Sequence, residues 1–207
     1  MKNQTLYIST SIPYVNAAPH LGFAQELVIA DAMARHYRRQ GSVRYYLLRH
    51  VRTTEDGDFS YARLAEVYRT ELADGLGNLL SRTLGLIRPG MELPGRARDP
   101  ELGELIDRLP SAIEAAVEHF QLHQGLRTIW QLVDAANAYV SRREPWKLAR
   151  NGDEAGLQEV LDDLLTVLES IAEALGPFLP ATSRRIPDAT GRARQGERPA
   201  CVLFPKA

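Results

Sequence analysis

Only one stretch of this sequence reads as a strand leading into a helix. Residues 5 to 12, TLYISTSI, are rich in β-branched and aromatic types, the mark of a short strand. The loop PYVNAAPHLG follows, punctuated by Pro13, Pro19 and Gly22, and a helix is expected from Phe23 to Arg39, closing at Gly41. A parallel sheet is assembled from several such β-loop-α units, and no second one appears downstream. The expected fold is therefore mainly α, with this unit as an N-terminal prefix.

From residue 42 onward the apolar spacing is helical. SVRYYLLRHV reads as a short helix with Ser42 as its N-cap, and Asp58 in TTEDGDF can cap the next. Residues 59 to 87 place Leu64, Val67, Leu72, Leu76, Leu79, Leu80 and Leu84 mostly three and four apart, which predicts one long helix with a buried face. Gly75 and Gly77 within it each cost about 1 kcal/mol of helix propensity against alanine, so they mark close packing or a bend. Further helices are expected at about 100 to 122, 124 to 141 and 153 to 176, with a short helical turn near EPWKLAR. The last stops at Gly176 and Pro177. From residue 188 the tail reads as polar and irregular until CVLF, which suits a short strand or an anchor. The chain thus divides into residues 1–41, 42–187 and 188–207.

Composition narrows function only a little. A formal net charge of -1 argues against a generic nucleic-acid coat, while leaving room for a local basic face. The single cysteine, Cys201, excludes an internal disulfide and any site built from several thiolates. No apolar run reaches the roughly 20 residues needed to cross a bilayer, and MKNQTLYIST lacks the basic-then-apolar pattern of a signal peptide. A cytoplasmic location with no membrane partner is expected.

Several residues have chemistry worth placing. His20 and Gly22 open a helix whose free amides attract anions, so they suit a phosphate-binding corner; a solvated loop histidine is the plainer reading. Asn78 and Arg82 are four apart, so both project from one helix face toward a common ligand, or form a surface hydrogen-bonding pair. Trp146, after Pro145, can hold an unstacked base or serve as a core aromatic. Arg142, Arg143, Lys147 and Arg150 surround it with positive charge, suited to phosphates or simply to solvent. His119 and His123 have the spacing for two imidazoles on one metal, but no carboxylate or cysteine completes a set, so they read as exposed helix histidines and no metal is expected. The acidic run DPELGELID reads as the first turns of a helix, where carboxylates suit the dipole.

The opening SIPYVNAAPHLGFAQELVIADAMARHY, with RYYLLRHVRTTEDGDFSYARL, LGNLLSRTL and EPWKLA, closely resembles the methionyl-tRNA synthetase family of class I aminoacyl-tRNA synthetases. Two separated parts of that family are represented. Residues 5 to 41 resemble the first β-loop-α of the catalytic Rossmann domain. Residues 43 to 187 resemble the end of the catalytic region and the helical anticodon-binding bundle, and LFPKA resembles the family's closing segment. Where the family has most of its catalytic domain, Ser42 alone separates Gly41 from Val43. The Lys-Met-Ser-Lys-Ser loop and the zinc-bearing insertion have no counterpart in this sequence. The His-x-Gly-His signature falls on His20, Leu21, Gly22 and Phe23, and a phenyl ring cannot donate a hydrogen bond to a phosphate.

The resemblance implies an internally truncated paralogue with the anticodon-binding bundle of a class I synthetase. It implies that Asn78, Arg82 and Trp146 read a CAU anticodon, that His20 and Gly22 are what remains of a nucleotide site, and that Tyr14 belongs to half of an amino-acid pocket. The implied partner is methionine tRNA, initiator or elongator, bound without autonomous aminoacylation. No cofactor is expected, with ATP admitted only if a protein partner completes the site. Two other roles stay open: an amino-acid-activating or transferring component completed by a partner, in translation or small-molecule biosynthesis, and a protein-interaction module that has lost tRNA binding.

Overall fold

Helices account for most of the described chain, which comprises residues 41–51, 60–93 and 99–205 of the computed structural model. Tyr14, His20, Gly22, Asp58 and the expected β-loop-α prefix lie outside the described residues. In chain order the helices are α1 (Ser42–His50), α2 (Tyr61–Val67), a π-helical segment (Tyr68–Gly77), α3 (Asn78–Leu86), α4 (Pro100–Glu118), α5 (Leu122–Arg143), α6 (Pro145–Asn151), α7 (Glu154–Ala174) and α8 (Pro180–Arg194). These belong to one unit, Gln40–Ala207, and no strand occurs among the described residues.

The centre is α7. Leu157, Val160, Leu161, Leu164, Leu165, Val167, Leu168 and Ile171 are all at most 1% exposed and form one broad apolar face. It packs against α5, α4 and α8, while α4 and α5 form the most extensive pair. Gly125 permits that pairing, because a Cβ there would sit 2.9 Å from Phe178 Cζ and 3.2 Å from Ala116 Cβ. Local caps agree with the sequence. Asp99 accepts from the amides of Glu101 (3.0 Å) and Leu102 (3.2 Å), with Pro100 in the first turn, so the acidic run begins a helix.

Three expectations are corrected. Ser42 is the first helical residue and is buried, not the N-cap; Gly41 takes that position at φ 68°, a conformation glycine adopts without steric cost. The expected long helix of residues 59 to 87 is three pieces, with ten π-helical residues in the middle. Gly77 suits this winding, since a Cβ there would crowd the Leu72 carbonyl oxygen at 3.1 Å, while one on Gly75 would make ordinary contact with that of Thr70 at 3.4 Å. Each is the carbonyl five residues back, the partner in π winding. Finally, the polar tail is helical through Arg194. Its buried stripe is Thr182, Ile186, Ala189, Thr190 and Ala193, in which one isoleucine stands among small residues that carry little hydrophobic signal. CVLF forms no strand and is an anchor, with Leu203 and Phe204 buried.

Candidate functional site

Trp146 owes its position to a corner. The last turn of α5 ends at Glu144, a non-glycine residue in the left-handed region at φ 44°, and Pro145 then starts α6. Lys147 Nζ lies 2.7 Å from the Glu144 carboxylate, and the Lys147 amide donates to the Glu144 carbonyl at 2.7 Å. Just before the corner, Tyr139 Oη donates to Asp163 Oδ2 at 2.6 Å, and Asp163 Oδ1 accepts from the Asp99 amide at 2.8 Å. Arg143 covers the Tyr139 ring at 5.5 Å. Burial holds the Asp163 carboxyl above its ordinary range against these hydrogen bonds. Helices α4, α5 and α7 are thus pinned together where the chain turns toward Trp146.

The corner brings Trp146 to α3. The Arg82 guanidinium carbon sits 5.2 Å from the Trp146 ring centroid, within cation–π range, so the two residues meet across separate helices. Trp146 is half-buried, which makes it neither a core aromatic nor a fully free ring. Asn78 lies one turn earlier on α3, and its side-chain amide makes no hydrogen bond among the described residues. It lines a cleft of about 120 Å³ together with Ser81, Val202, Leu203 and Phe204. The part of the cleft contributed by residues 202 to 204 was not visible in the sequence, because nothing local links those positions to α3.

Most of the positive charge expected around Trp146 is already neutralised. Arg142 donates to Glu101 at 2.8 Å, Arg143 to Glu159 at 3.3 Å, and Lys147 pairs with Glu144. Arg150 is exposed with no ion pair among the described residues, and Arg82 has only the ring. Of these cations around Trp146, Arg82 and Arg150 are therefore the two outside an ion pair among the described residues. His119 and His123 do not share a helix, since α4 ends at Glu118 and Phe120 turns the chain at φ 55°. Among the described residues no cluster of three or more His, Cys, Asp or Glu can hold a metal, and no helix is long and apolar enough to cross a membrane.

A second polar cluster ties α1 to the π segment. Glu71 accepts from Tyr45 Oη, lies 3.1 Å from His50 Nε2 and 3.5 Å from Arg49 Nε. Burial alone would raise its pKa, but the nearby His50 imidazole, the hydrogen bond from Tyr45 and the Arg49 charge hold it at about 2. A carboxylate depressed below its ordinary value of 4.5 contributes stability above that pH and loses it as pH falls toward about 2. Allowing for solvent screening, the loss is expected to be about 1–2 kcal/mol. Denaturant unfolding across this window would show it, with Glu71→Gln starting lower and falling less.

Comparison with known proteins places the chain. A family model described as tRNA synthetases class I (M) matches residues 6–43 and, separately, 39–84. The two matches meet at the position where the sequence puts Gly41, Ser42 and Val43 in place of a catalytic region. The methionine–tRNA ligase of Synechocystis sp. is 35% identical over 157 residues, spanning 71% of this chain and 29% of the ligase. That of Clostridium perfringens is 34% identical over 152 residues, spanning 70% and 24%. This chain therefore covers less than a third of each of these relatives. Among solved structures, the apo methionyl-tRNA synthetase of Mycobacterium tuberculosis superposes with a TM-score of 0.70 at 25% identity, over 84% of this chain and 40% of that one. The same enzyme bound by methionyl-adenylate gives 0.68 at 26% identity, over 84% and 39%.

Proposed function

We propose that this chain, a relative of the class I methionyl-tRNA synthetases, binds the anticodon loop of a methionine tRNA and does not charge it unaided. The observation that carries this reading is the meeting of Arg82 with Trp146 beside the Asn78 amide, which has no partner among the described residues. The indole offers a face on which an unstacked base can lie. A guanidinium is donor-only and matches the acceptors N3 and O2 of cytosine, whereas uracil has a donor at N3. The Asn78 amide oxygen can accept from the cytosine exocyclic amine. The three groups together favour cytosine, the first base of a CAU anticodon.

Catalysis by the chain alone is disfavoured by Phe23, which stands where the family signature has its second imidazole. In this reading Tyr14, His20 and Gly22 belong to an incomplete amino-acid and nucleotide site that only a partner could finish. The test is a titration of purified protein with methionine tRNA and with the same tRNA carrying an altered anticodon, over a series of salt concentrations. Binding is expected to prefer the CAU anticodon by about tenfold or more. Equal, weak binding to both, lost steeply with salt, would reduce the interaction to general electrostatics and overturn the reading.

A further inference from the structure

The C-terminal segment is held more firmly than an anchor needs. Leu203 and Phe204 are 2% and 4% exposed, and Phe204 lies against Gly77, where a Cβ would meet its ring at 3.4 Å. Tyr68 packs edge-on to Phe204 at 6.3 Å and donates through its hydroxyl to the Pro205 carbonyl at 2.6 Å. From the other side Arg185 donates to the carbonyls of Val202 at 2.5 Å and Leu203 at 3.1 Å. The backbone from Val202 to Pro205 is thereby fixed, yet the Val202 side chain is left 61% exposed. A lone exposed valine is ordinary. This one shares a cleft with Asn78 and Ser81.

The cleft combines an apolar wall with unspent polar capacity. The Asn78 amide has no hydrogen bond among the described residues, and Ser81 Oγ spends its proton on the Gly77 and Asn78 carbonyls while its lone pairs remain able to accept. At about 120 Å³ the space is far below the roughly 300 Å³ of a pocket for a drug-sized ligand, and it suits a single planar ring. We infer that the C-terminal segment completes the base site on α3, with Val202 as the apolar wall against the nucleobase whose edge Asn78 reads. The inference rests on the anticodon reading and adds a specificity-determining residue to it. It also gives the Arg185 and Tyr68 contacts a positioning role, because they set where that wall stands.

The test compares Val202→Ser and Val202→Ile with Trp146→Ala, using the full chain, methionine tRNA and its altered-anticodon counterpart. Val202→Ser removes apolar contact without adding charge and is expected to weaken binding of the CAU tRNA by about fivefold to tenfold, with residual binding of the altered tRNA and the melting temperature unchanged. Val202→Ile is expected to retain wild-type affinity. Unchanged affinity in Val202→Ser beside a loss in Trp146→Ala would overturn the inference and leave the anticodon reading standing. A loss in Val202→Ile equal to that in Val202→Ser, or a loss of equal size for both tRNAs, would overturn it as well. Absence of anticodon-dependent binding in the wild-type chain would remove both.

Discussion

Replacing Arg194 with methionine is expected to lower the unfolding free energy by about 3 kcal/mol, the scale for removing one partner of a buried ion pair. Arg194 closes α8, and its Nη1 donates to Asp162 Oδ1 at 2.6 Å and to the Leu93 carbonyl at 3.1 Å. Nε and Nη2 reach the two oxygens of Glu169 at 2.7 and 2.9 Å, and Nη2 also donates to Thr166 Oγ1 at 3.1 Å. Burial opposes the guanidinium charge, but Glu169 and Asp162 more than compensate and raise its pKa. Asp162 is only 3% exposed, so losing this partner leaves a carboxylate poorly solvated between α7 and α8. Methionine keeps the apolar stem, which isolates the electrostatic part of the effect. Denaturant unfolding of Arg194→Met against wild type measures it. Adding Asp162→Asn to that variant is expected to restore part of the loss, because it removes a buried carboxylate that has lost its Arg194 ion pair. A single-variant loss under about 1 kcal/mol would mean that solvent reaches Asp162 readily.

The same network explains what the sequence could and could not disclose. Helices α4, α5 and α7 were legible because leucine, valine and isoleucine recur on one face and prolines, glycines and aspartates mark their ends. Helix α8 was not, since its buried stripe is threonine and alanine around a single isoleucine, and its hold on the bundle is a guanidinium meeting carboxylates on another helix. The π segment was legible only as a pair of misplaced glycines, because winding by one extra residue per hydrogen bond leaves no separate composition signal. For the site, Asn78 and Arg82 share a helix, and four-residue spacing predicts their common face from sequence alone. That Trp146 would meet Arg82 depended on the left-handed corner at Glu144, which no propensity favours in a charged, non-glycine residue. Val202 was invisible for the same class of reason: its neighbours on α3 lie more than a hundred residues away in the chain.

Trp146→Ala is expected to weaken binding of the CAU tRNA by about tenfold to a hundredfold, the range for losing one base–aromatic stack. Trp146→Phe, with a smaller face, should fall between the alanine variant and wild type. The Arg82 partner separates two mechanisms that this loss alone would not. Arg82→Lys preserves a positive charge and the chance to sit over the indole, but it loses the planar fork that presents several donors to a base edge. If Arg82 reads the edge of the stacked base, the lysine variant should lose selectivity between cytosine and uracil at the first anticodon position while the salt dependence stays the same. If Arg82 instead contacts a phosphate, selectivity should survive in the lysine variant, and Arg82→Ala should reduce the salt slope by about one unit. The contact at 5.2 Å favours the first outcome, since a guanidinium already resting on the ring stands beside whatever base replaces solvent there. Coupling between the two sites in a double-mutant cycle follows from the same geometry: with the indole gone, Arg82→Lys should cost much less than it does in the wild-type chain.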